Sequence, residues 1–231
     1  MGRRPQPSLQ NPFENLEPLN ASIDPKHVRR ALGPEDLRKL VLAAHNGPAL
    51  RRVTGPVRAL AWRLGCEAGL RISEICGLQA GDLDLDAPSG PMLTVRASVS
   101  KNRKEARLPL HGVLAHDLAP YTRGKLPTAS LLGLPASFRH RATFWIERDL
   151  AAAGLEYEDA SGHVADVHSL RSAFITNLVR SGANVKAVQL LARHASPTET
   201  LGIYTRLVAT EERDAISRLQ VVSPSGVSCA P

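Results

Sequence analysis

Apolar residues follow a helical spacing along most of this 231-residue chain and depart from it in one region only, which limits the folds that the chain can adopt. In most segments apolar residues recur at intervals of three and four, which is typical of amphipathic helices. Residues 92–99 and 107–110 favour strands instead, with a turn at Lys101-Asn102-Arg103 between them. The sequence therefore predicts a mainly α fold with a small antiparallel β-sheet. The first helical stripe comprises Leu37, Leu40, Val41 and Ala44.

Helix-terminus signals divide much of the chain into short helices. Capping side chains, proline in a first turn and glycine after a last turn mark their ends. The predicted segments are a helix over 74–78 capped by Ser73, a helix over 137–153, a helix from near Asp166 to Gly182, a helix capped by Asn184, and a helix that starts with the capping box Ser196-Pro197-Thr198-Glu199.

Composition and charge narrow the class of protein. Hydrophobic residues make up 43% of the chain, enough for a buried core, and the net charge is +7. A basic balance favours a polyanionic partner, with an ordinary solvated basic surface as the alternative. Three scattered cysteines are too few for a disulfide framework or a zinc site, so Cys66 and Cys76 are expected to be core thiols. Because the sequence has no signal peptide and no membrane-length apolar stretch, we expect a cytoplasmic protein without a membrane partner.

The chain also carries a set of side chains suited to binding and attacking a phosphate. His168 and Arg171 are three residues apart, so on a helix they lie on one face. His194 and Tyr204 follow on later helical segments, and Arg71 stands at the start of an earlier helix. Imidazole and guanidinium groups can surround one phosphate, and a phenol can attack it.

Taken singly, these residues have ordinary structural interpretations. Arg71 could pair with Glu67 or Glu74, and His194 could complete a helix C-terminus. A single tyrosine such as Tyr204 is usually a half-buried core residue. Only the combination indicates phosphate chemistry.

The predicted hairpin is strongly basic. Its sequence, SKNRKEAR, includes Lys101, Arg103, Lys104 and Arg107. A charged turn is usually only solvated, but a basic hairpin can instead enter a DNA minor groove and supply a proton donor. We favour Lys101 as that donor, with Lys104 as the alternative.

Five segments, taken in order, resemble the catalytic domain of the tyrosine recombinases, the phage-integrase family. The first two are GLRISEICGLQAGDLDL, similar to the first arginine motif, and SKNRKEARLPL, similar to the lysine hairpin. HSLRSAFITNLVRSG is similar to the His-x-x-Arg motif, LLARHASP to the Gly-His-like motif, and TLGIYTRL to the nucleophile motif. In one departure, Ala192-Arg193-His194 replaces the more usual Leu-Gly-His.

The resemblance implies roles for these residues. Arg71, His168, Arg171 and His194 would surround the scissile phosphate, Tyr204 would be the nucleophile and Lys101 the general acid. Arg103, Lys104, Arg107 and Arg193 would contact DNA. The implied reaction needs no cofactor, metal or ATP, and the implied partners are double-stranded DNA and further copies of the chain in a tetramer.

The resemblance also implies a domain organisation. Residues 1–30 would be a linker or arm, the remnant of a connection to a core-binding domain that is missing from the sequence. Residues 31–220 would form the catalytic domain, and 221–231 a flexible tail. The expected function is site-specific DNA recombination through a 3′-phosphotyrosyl intermediate. The alternatives are a truncated DNA-binding remnant without turnover and strand relaxation like that of type IB topoisomerases.

Overall fold

The computed structural model describes residues 28–194 and 196–208, with side chains described as far as Ile203. Within these ranges the chain forms mostly helices and one three-stranded antiparallel sheet in the order β1-β2-β3, so the predicted mainly α class is confirmed. No helix in these ranges is long and apolar enough to cross a bilayer. The elements are α1 Pro34–Asn46, α2 Gly55–Glu67, α3 Ile72–Gly77, β1 Leu83–Asp84, β2 Met92–Val95, β3 Ala106–Pro109, α4 Gly112–Leu118, α5 Ala136–His140, α6 Ala142–Ala152, α7 Val167–Arg180, α8 Val185–Ala192 and α9 Pro197–Val208.

The core centres on α2, which packs against α1 and α7. Three aromatic rings fill its middle: the Phe138 ring centroid lies 5.3 Å from that of Trp62 and 5.0 Å from that of Trp145. Asp149 accepts hydrogen bonds from Arg58 Nε at 3.0 Å and from Trp62 Nε1 at 2.8 Å. Because Arg58 and Asp149 are almost fully buried, removing either one would leave an uncompensated charge in the core.

The sheet is shorter than the sequence pattern predicts. The strand predicted over 92–99 ends at Val95. The chain leaves the ladder at Arg96, whose Nε donates to Asp82 Oδ1 at 2.9 Å and whose Nη2 donates to the Gly77 carbonyl. These bonds turn the following residues back against the end of α3. The β2–β3 connection is therefore a long anchored loop in place of a tight hairpin.

The helix predicted over 137–153 is interrupted at Arg141, which separates α5 from α6. Arg141 has φ −122° and ψ 39°, outside the helical region. The interruption lets Phe138 and Trp145 pack directly, with ring centroids 5.0 Å apart. Seven residues of continuous helix would separate their Cα atoms by about 10 Å along the axis. Packing in the core therefore takes precedence over the local helical pattern.

The start of α3 also differs from the prediction. The helix begins at Ile72, after an extended Arg71, and Ser73 lies inside its first turn. Glu74 reaches back so that its Oε2 accepts the Arg71 N–H at 2.8 Å. A glutamate at the third helical position often satisfies a free N–H in this way, so Glu74 takes the capping role expected of Ser73.

The predicted termini of the last three helices agree with the structure. Asp166 and Asn184 cap α7 and α8 through their side-chain oxygens, and Pro197 is the first residue of α9. Gly182, after α7, has φ +81°, a conformation that glycine adopts without strain. α7, α8 and α9 pack against one another, and Arg171 on α7 donates to the Ala192 carbonyl, two residues before His194.

The first described residues are tied to the domain, although the sequence assigns them to the linker. Val164 exchanges backbone hydrogen bonds with Val28 at 2.9 Å and with Arg30 at 3.1 Å. The chain therefore enters the fold directly beside the start of α7. The division into residues 1–30, 31–220 and 221–231 otherwise stays a prediction, because residues 1–27 and 209–231 lie outside the described ranges.

Candidate functional site

A groove of about 850 Å³ lies between α3, the β2–β3 loop, α5 and the start of α7. Five basic side chains line it, and none of its described lining residues is an aspartate or a glutamate. A concave surface that exposes cationic side chains and no carboxylate attracts anions. The five side chains are Arg71, Lys101, Arg139, His140 and His168.

Arg71 stands where the chain enters α3, with its side chain 17% exposed at the groove. Its Nη1 donates to Glu74 Oε1 at 3.3 Å, and the Glu74 side chain is fully buried. Arg71 therefore makes the pair with Glu74 that the sequence offered as an alternative, and it also lines the groove, while its phosphate-binding role stays a prediction. The ion pair orients the guanidinium and leaves other N–H groups for an anionic ligand.

Arg171, on α7, is buried just behind Arg71. Its guanidinium donates to the carbonyl oxygens of Gly69 and Ala192. Burial, reinforced by the charges of Arg71 and Arg193, lowers the pKa of Arg171 to about 9, so it stays cationic at neutral pH. Arg171 thus joins the α2–α3 connection to the end of α8.

His168 lies in the first turn of α7 and lines the groove. Partial burial, which disfavours the charged form, lowers the pKa of its imidazole. The charges of Arg29, Arg71 and Arg171 lower the His168 pKa further. Asp166 acts in the opposite direction, but its Oδ2 is paired with Arg29 Nε at 2.7 Å. A neutral imidazole can accept a proton near pH 7, so His168 can act as a base.

His194 follows α8, and the first turn of α9 holds its ring. Nδ1 lies 2.8 Å from Oγ1 of the buried Thr200, and Nε2 lies 3.9 Å from Glu199 Oε2. Loss of solvent, with the charge of Arg171, lowers the pKa of His194, while Glu199 opposes the shift. Thr200 was not expected from the sequence, because a single threonine on a helix carries no chemical signal.

Tyr204 belongs to α9, one helical turn after Thr200, so the two Cα atoms lie on the same face of the helix. α9 packs against α7 and α8, which carry Arg171 and lead into His194. The side chain of Tyr204 lies outside the described residues. Its role as nucleophile therefore stays a prediction, based on the position of its helix.

The β2–β3 loop brings one of the two candidate lysines to the groove. Lys101 lines it, whereas Lys104 is not among its lining residues, which supports the preference for Lys101. Arg103 and Lys104 are exposed on the loop, and Arg103 turns the chain with φ +51°. Arg107 Nη2 pairs with Asp84 Oδ2 at 3.0 Å, but both side chains are about half exposed. Because an exposed pair of this kind contributes little, Arg107 remains available to a DNA phosphate.

Arg193 has a different environment from that expected of a DNA contact. Its side chain is 10% exposed, and its Nη2 donates to Glu74 Oε2 at 2.9 Å and to the Gly69 carbonyl at 3.0 Å. A buried guanidinium can reach the DNA backbone only by giving up these bonds. In this structure the Arg193 guanidinium therefore makes internal contacts, which a direct DNA contact would have to replace.

Arg139 and His140 line the groove, although the sequence did not indicate them. They are exposed and occupy the last turn of α5. The single helix predicted over 137–153 gave no indication that these two side chains line the site. The available signal was the basic run Arg139-His140-Arg141, which coincides with the interruption between α5 and α6.

Comparisons with known proteins point to one family. Residues 30–211 match the model of the Phage integrase family. The tyrosine recombinase XerA of Thermococcus kodakarensis is 26% identical over 214 residues, covering 93% of this chain and 70% of that protein. A tyrosine recombinase of Thermosipho africanus is 29% identical over 154 residues, covering 66% of this chain and 50% of that protein.

Comparison with a solved structure shows which fold this chain shares. The XerH site-specific recombinase bound to its difH substrate in a pre-cleavage complex superposes with a TM-score of 0.60 at 20% identity. The match covers 83% of this chain and 53% of that one. The predicted domain fold is confirmed by this likeness.

Proposed function

Because this chain belongs to the phage integrase family, we propose that it cleaves and rejoins duplex DNA at specific sites through a 3′-phosphotyrosyl intermediate. The observation that carries the proposal is the acid-free groove in which Arg71, His168 and Lys101 converge, with Arg171 directly behind. The complexes of two recombinases of similar fold, XerH with its difH substrate and the Tn1549 transposon integrase with a circular intermediate DNA, support DNA as the partner. A DNA substrate also agrees with the cytoplasmic location and the assembly of several copies on DNA that the sequence favours.

In this proposal the first task of the site is to neutralise charge. A phosphodiester is anionic and repels nucleophiles, and more charge develops on its oxygens in the pentacoordinate state. Arg71 and Arg171 would hold the non-bridging oxygens, because a guanidinium fork matches that geometry better than a lysine does. His194, held by Thr200, would donate a further hydrogen bond beside Arg171.

The second task is proton transfer. The hydroxyl oxygen of Tyr204 would attack phosphorus and its proton would pass to His168, while the bond from phosphorus to the 5′ oxygen breaks. Lys101 would give a proton to that leaving oxygen. The reverse reaction with the 5′-hydroxyl of another strand would rejoin the DNA. Each step exchanges one phosphoester bond for another, so no external energy source is required.

The test is covalent trapping on a library of nicked duplexes of random sequence, which requires no knowledge of the target site. A nick near the cleavage point lets the short 5′-hydroxyl strand diffuse away, so the protein–DNA adduct accumulates and its DNA can be sequenced. The proposal predicts an adduct that survives denaturation and recovers a defined site. Binding without an adduct would indicate a DNA-binding remnant. In a parallel assay on supercoiled plasmid, relaxation of supercoils without recombinant products would indicate a topoisomerase-like activity.

The pH dependence of cleavage tests the protonation state of His168. Its pKa is lowered from the ordinary value of about 6.5, so the neutral ring persists until the pH falls below that range. We expect the single-turnover rate to be constant above about pH 6.5 and to decline as the pH falls through the lowered pKa. His168→Gln should remove this acidic limb of the profile, measured by quenched-flow cleavage. A decline that persists in His168→Gln would assign it to another group.

The salt dependence of binding tests Arg139. Each phosphate contact adds about one unit to the slope of log affinity against log salt, because binding releases a counterion. Arg139→Ala is expected to reduce this slope by about one and to weaken binding to all sequences. Arg123→Ala is the matched control, because Arg123 is also exposed but does not line the groove. Equal slopes for the two variants would place Arg139 outside the DNA interface.

A further inference from the structure

Arg193 occupies a backbone position that favours glycine. It follows the last residue of α8 with φ 53° and ψ 43°, in the left-handed region. Its N–H donates to the Leu190 carbonyl at 3.0 Å, and the His194 N–H donates to the Gln189 carbonyl at 3.2 Å. These two bonds form a Schellman motif, in which the left-handed residue is usually glycine. An arginine in this conformation carries backbone strain that a glycine would not.

The Arg193 guanidinium lies between the groups that hold the two predicted phosphate-binding arginines. Its Nη2 is 2.9 Å from Glu74 Oε2 and 3.0 Å from the Gly69 carbonyl oxygen. Glu74 also accepts hydrogen bonds from Arg71, and the Gly69 carbonyl also accepts one from Arg171. The Arg193 side chain therefore contacts both the carboxylate that holds Arg71 and the carbonyl that holds Arg171.

Stability alone does not account for this arrangement. Nε and Nη1 of Arg193 are buried and have no hydrogen-bond partner among the described residues. A buried cation with unpaired donors carries a desolvation cost that its ion pair only partly offsets. The charge of Arg193 also lowers the pKa of Arg171. Backbone strain, unpaired donors and like-charge proximity all oppose an arginine at this position.

Building on the function proposed above, we propose that Arg193 is a positioning residue for cleavage. It holds the Glu74 carboxylate and the Gly69 carbonyl in place, so that Arg71 and Arg171 bind the same phosphate. Arg193 acts through these two groups and does not touch DNA. Because a displacement of about 1 Å in a catalytic group can cost about a hundredfold in rate, loss of this support affects cleavage more than affinity.

The variant Arg193→Gly removes the guanidinium and also relieves the strained backbone. At saturating DNA its single-turnover cleavage rate is expected to fall about tenfold or more, with affinity nearly unchanged. Arg193→Lys keeps the charge without the planar fork and should recover only part of the rate. Arg52→Gly is the matched control, because Arg52 is exposed, has φ +69° and does not line the groove. Its rate should equal that of the unmodified protein.

A second substrate separates positioning from general loss of structure. In the site recovered by trapping, a methylphosphonate replaces the scissile phosphate, which removes its negative charge. If Arg193 aims the arginines at charged oxygens, the defect of Arg193→Gly should shrink to within about threefold on this neutral linkage. A merely structural defect would slow both substrates equally. Arg193→Asn, which also tolerates the left-handed backbone, repeats the comparison if the glycine variant folds poorly.

Two results would overturn the inference: equal slowing of Arg193→Gly on both substrates, or a rate on ordinary DNA equal to that of Arg52→Gly. Failure of the unmodified protein to form any adduct would instead refute the proposed function. The two failures are therefore distinguishable in one set of measurements.

Discussion

Replacing Tyr204 by phenylalanine is expected to abolish the covalent protein–DNA adduct while leaving DNA binding nearly intact. The change removes one hydroxyl oxygen, and without it the phosphate has no nucleophile from α9. Binding depends on the cationic groove and the basic loop, which the substitution leaves in place. Adduct formation on nicked duplex is measured by denaturing gel electrophoresis, and binding by gel shift.

Tyr121→Phe is the matched control for this prediction. Tyr121 is one of three tyrosines in the chain, is partly buried, and does not line the groove. It should form the adduct at the rate of the unmodified protein. Adduct formation by Tyr204→Phe at an undiminished rate would remove Tyr204 from the role of nucleophile, whatever the behaviour of the control.

Replacing Arg71 by alanine is expected to slow cleavage by about a hundredfold or more at saturating DNA, which corresponds to about 3 kcal/mol of transition-state stabilisation. The fold should survive, because Glu74 keeps Arg193 as a partner at 2.9 Å. Arg71→Lys retains the charge but loses the fork, so we expect only partial activity. The rate is measured in single turnover with DNA well above its Kd.

Arg38→Ala controls for the loss of a positive charge. Arg38 pairs with Glu35 on the exposed side of α1 and does not line the groove. Its removal should leave the rate unchanged and should have a small effect on stability. If Arg71→Ala cleaves as fast as Arg38→Ala, Arg71 serves only as a partner for Glu74, the alternative that the sequence left open.

Local patterns predicted much of the fold because they depend on neighbours in the sequence. The apolar stripe from Leu37 to Ala44 and the caps at Asp166 and Asn184 are satisfied within a few residues, so the helices that they predict are present. The errors arise where tertiary contacts take precedence. Strand β2 ends early because Arg96 bonds to Asp82 and Gly77, which lie outside its own hairpin.

The same distinction between local sequence pattern and tertiary contact applies to the candidate site. Residue type and order were enough to propose Arg71, Arg171 and His168, because guanidinium and imidazole groups are suited to a phosphate whatever their detailed packing. The internal contact of Arg193 could not be predicted, because its two acceptors lie more than a hundred residues earlier in the chain. Arg139 lines the groove from the short helix α5, and the break at Arg141 that ends this helix was not visible in the local helical pattern.

In the proposed reaction Tyr204 becomes covalently linked to the 3′ phosphate of cleaved DNA. Its most direct test is tandem mass spectrometry of the trapped adduct after nuclease and trypsin digestion, because cleavage after Arg193 and Arg206 isolates a peptide in which Tyr204 is the only tyrosine. If Tyr204 is the nucleophile, this peptide carries a nucleotide attached through its 3′ phosphate to Tyr204. A nucleotide on any other residue, or one attached through its 5′ phosphate, would contradict it.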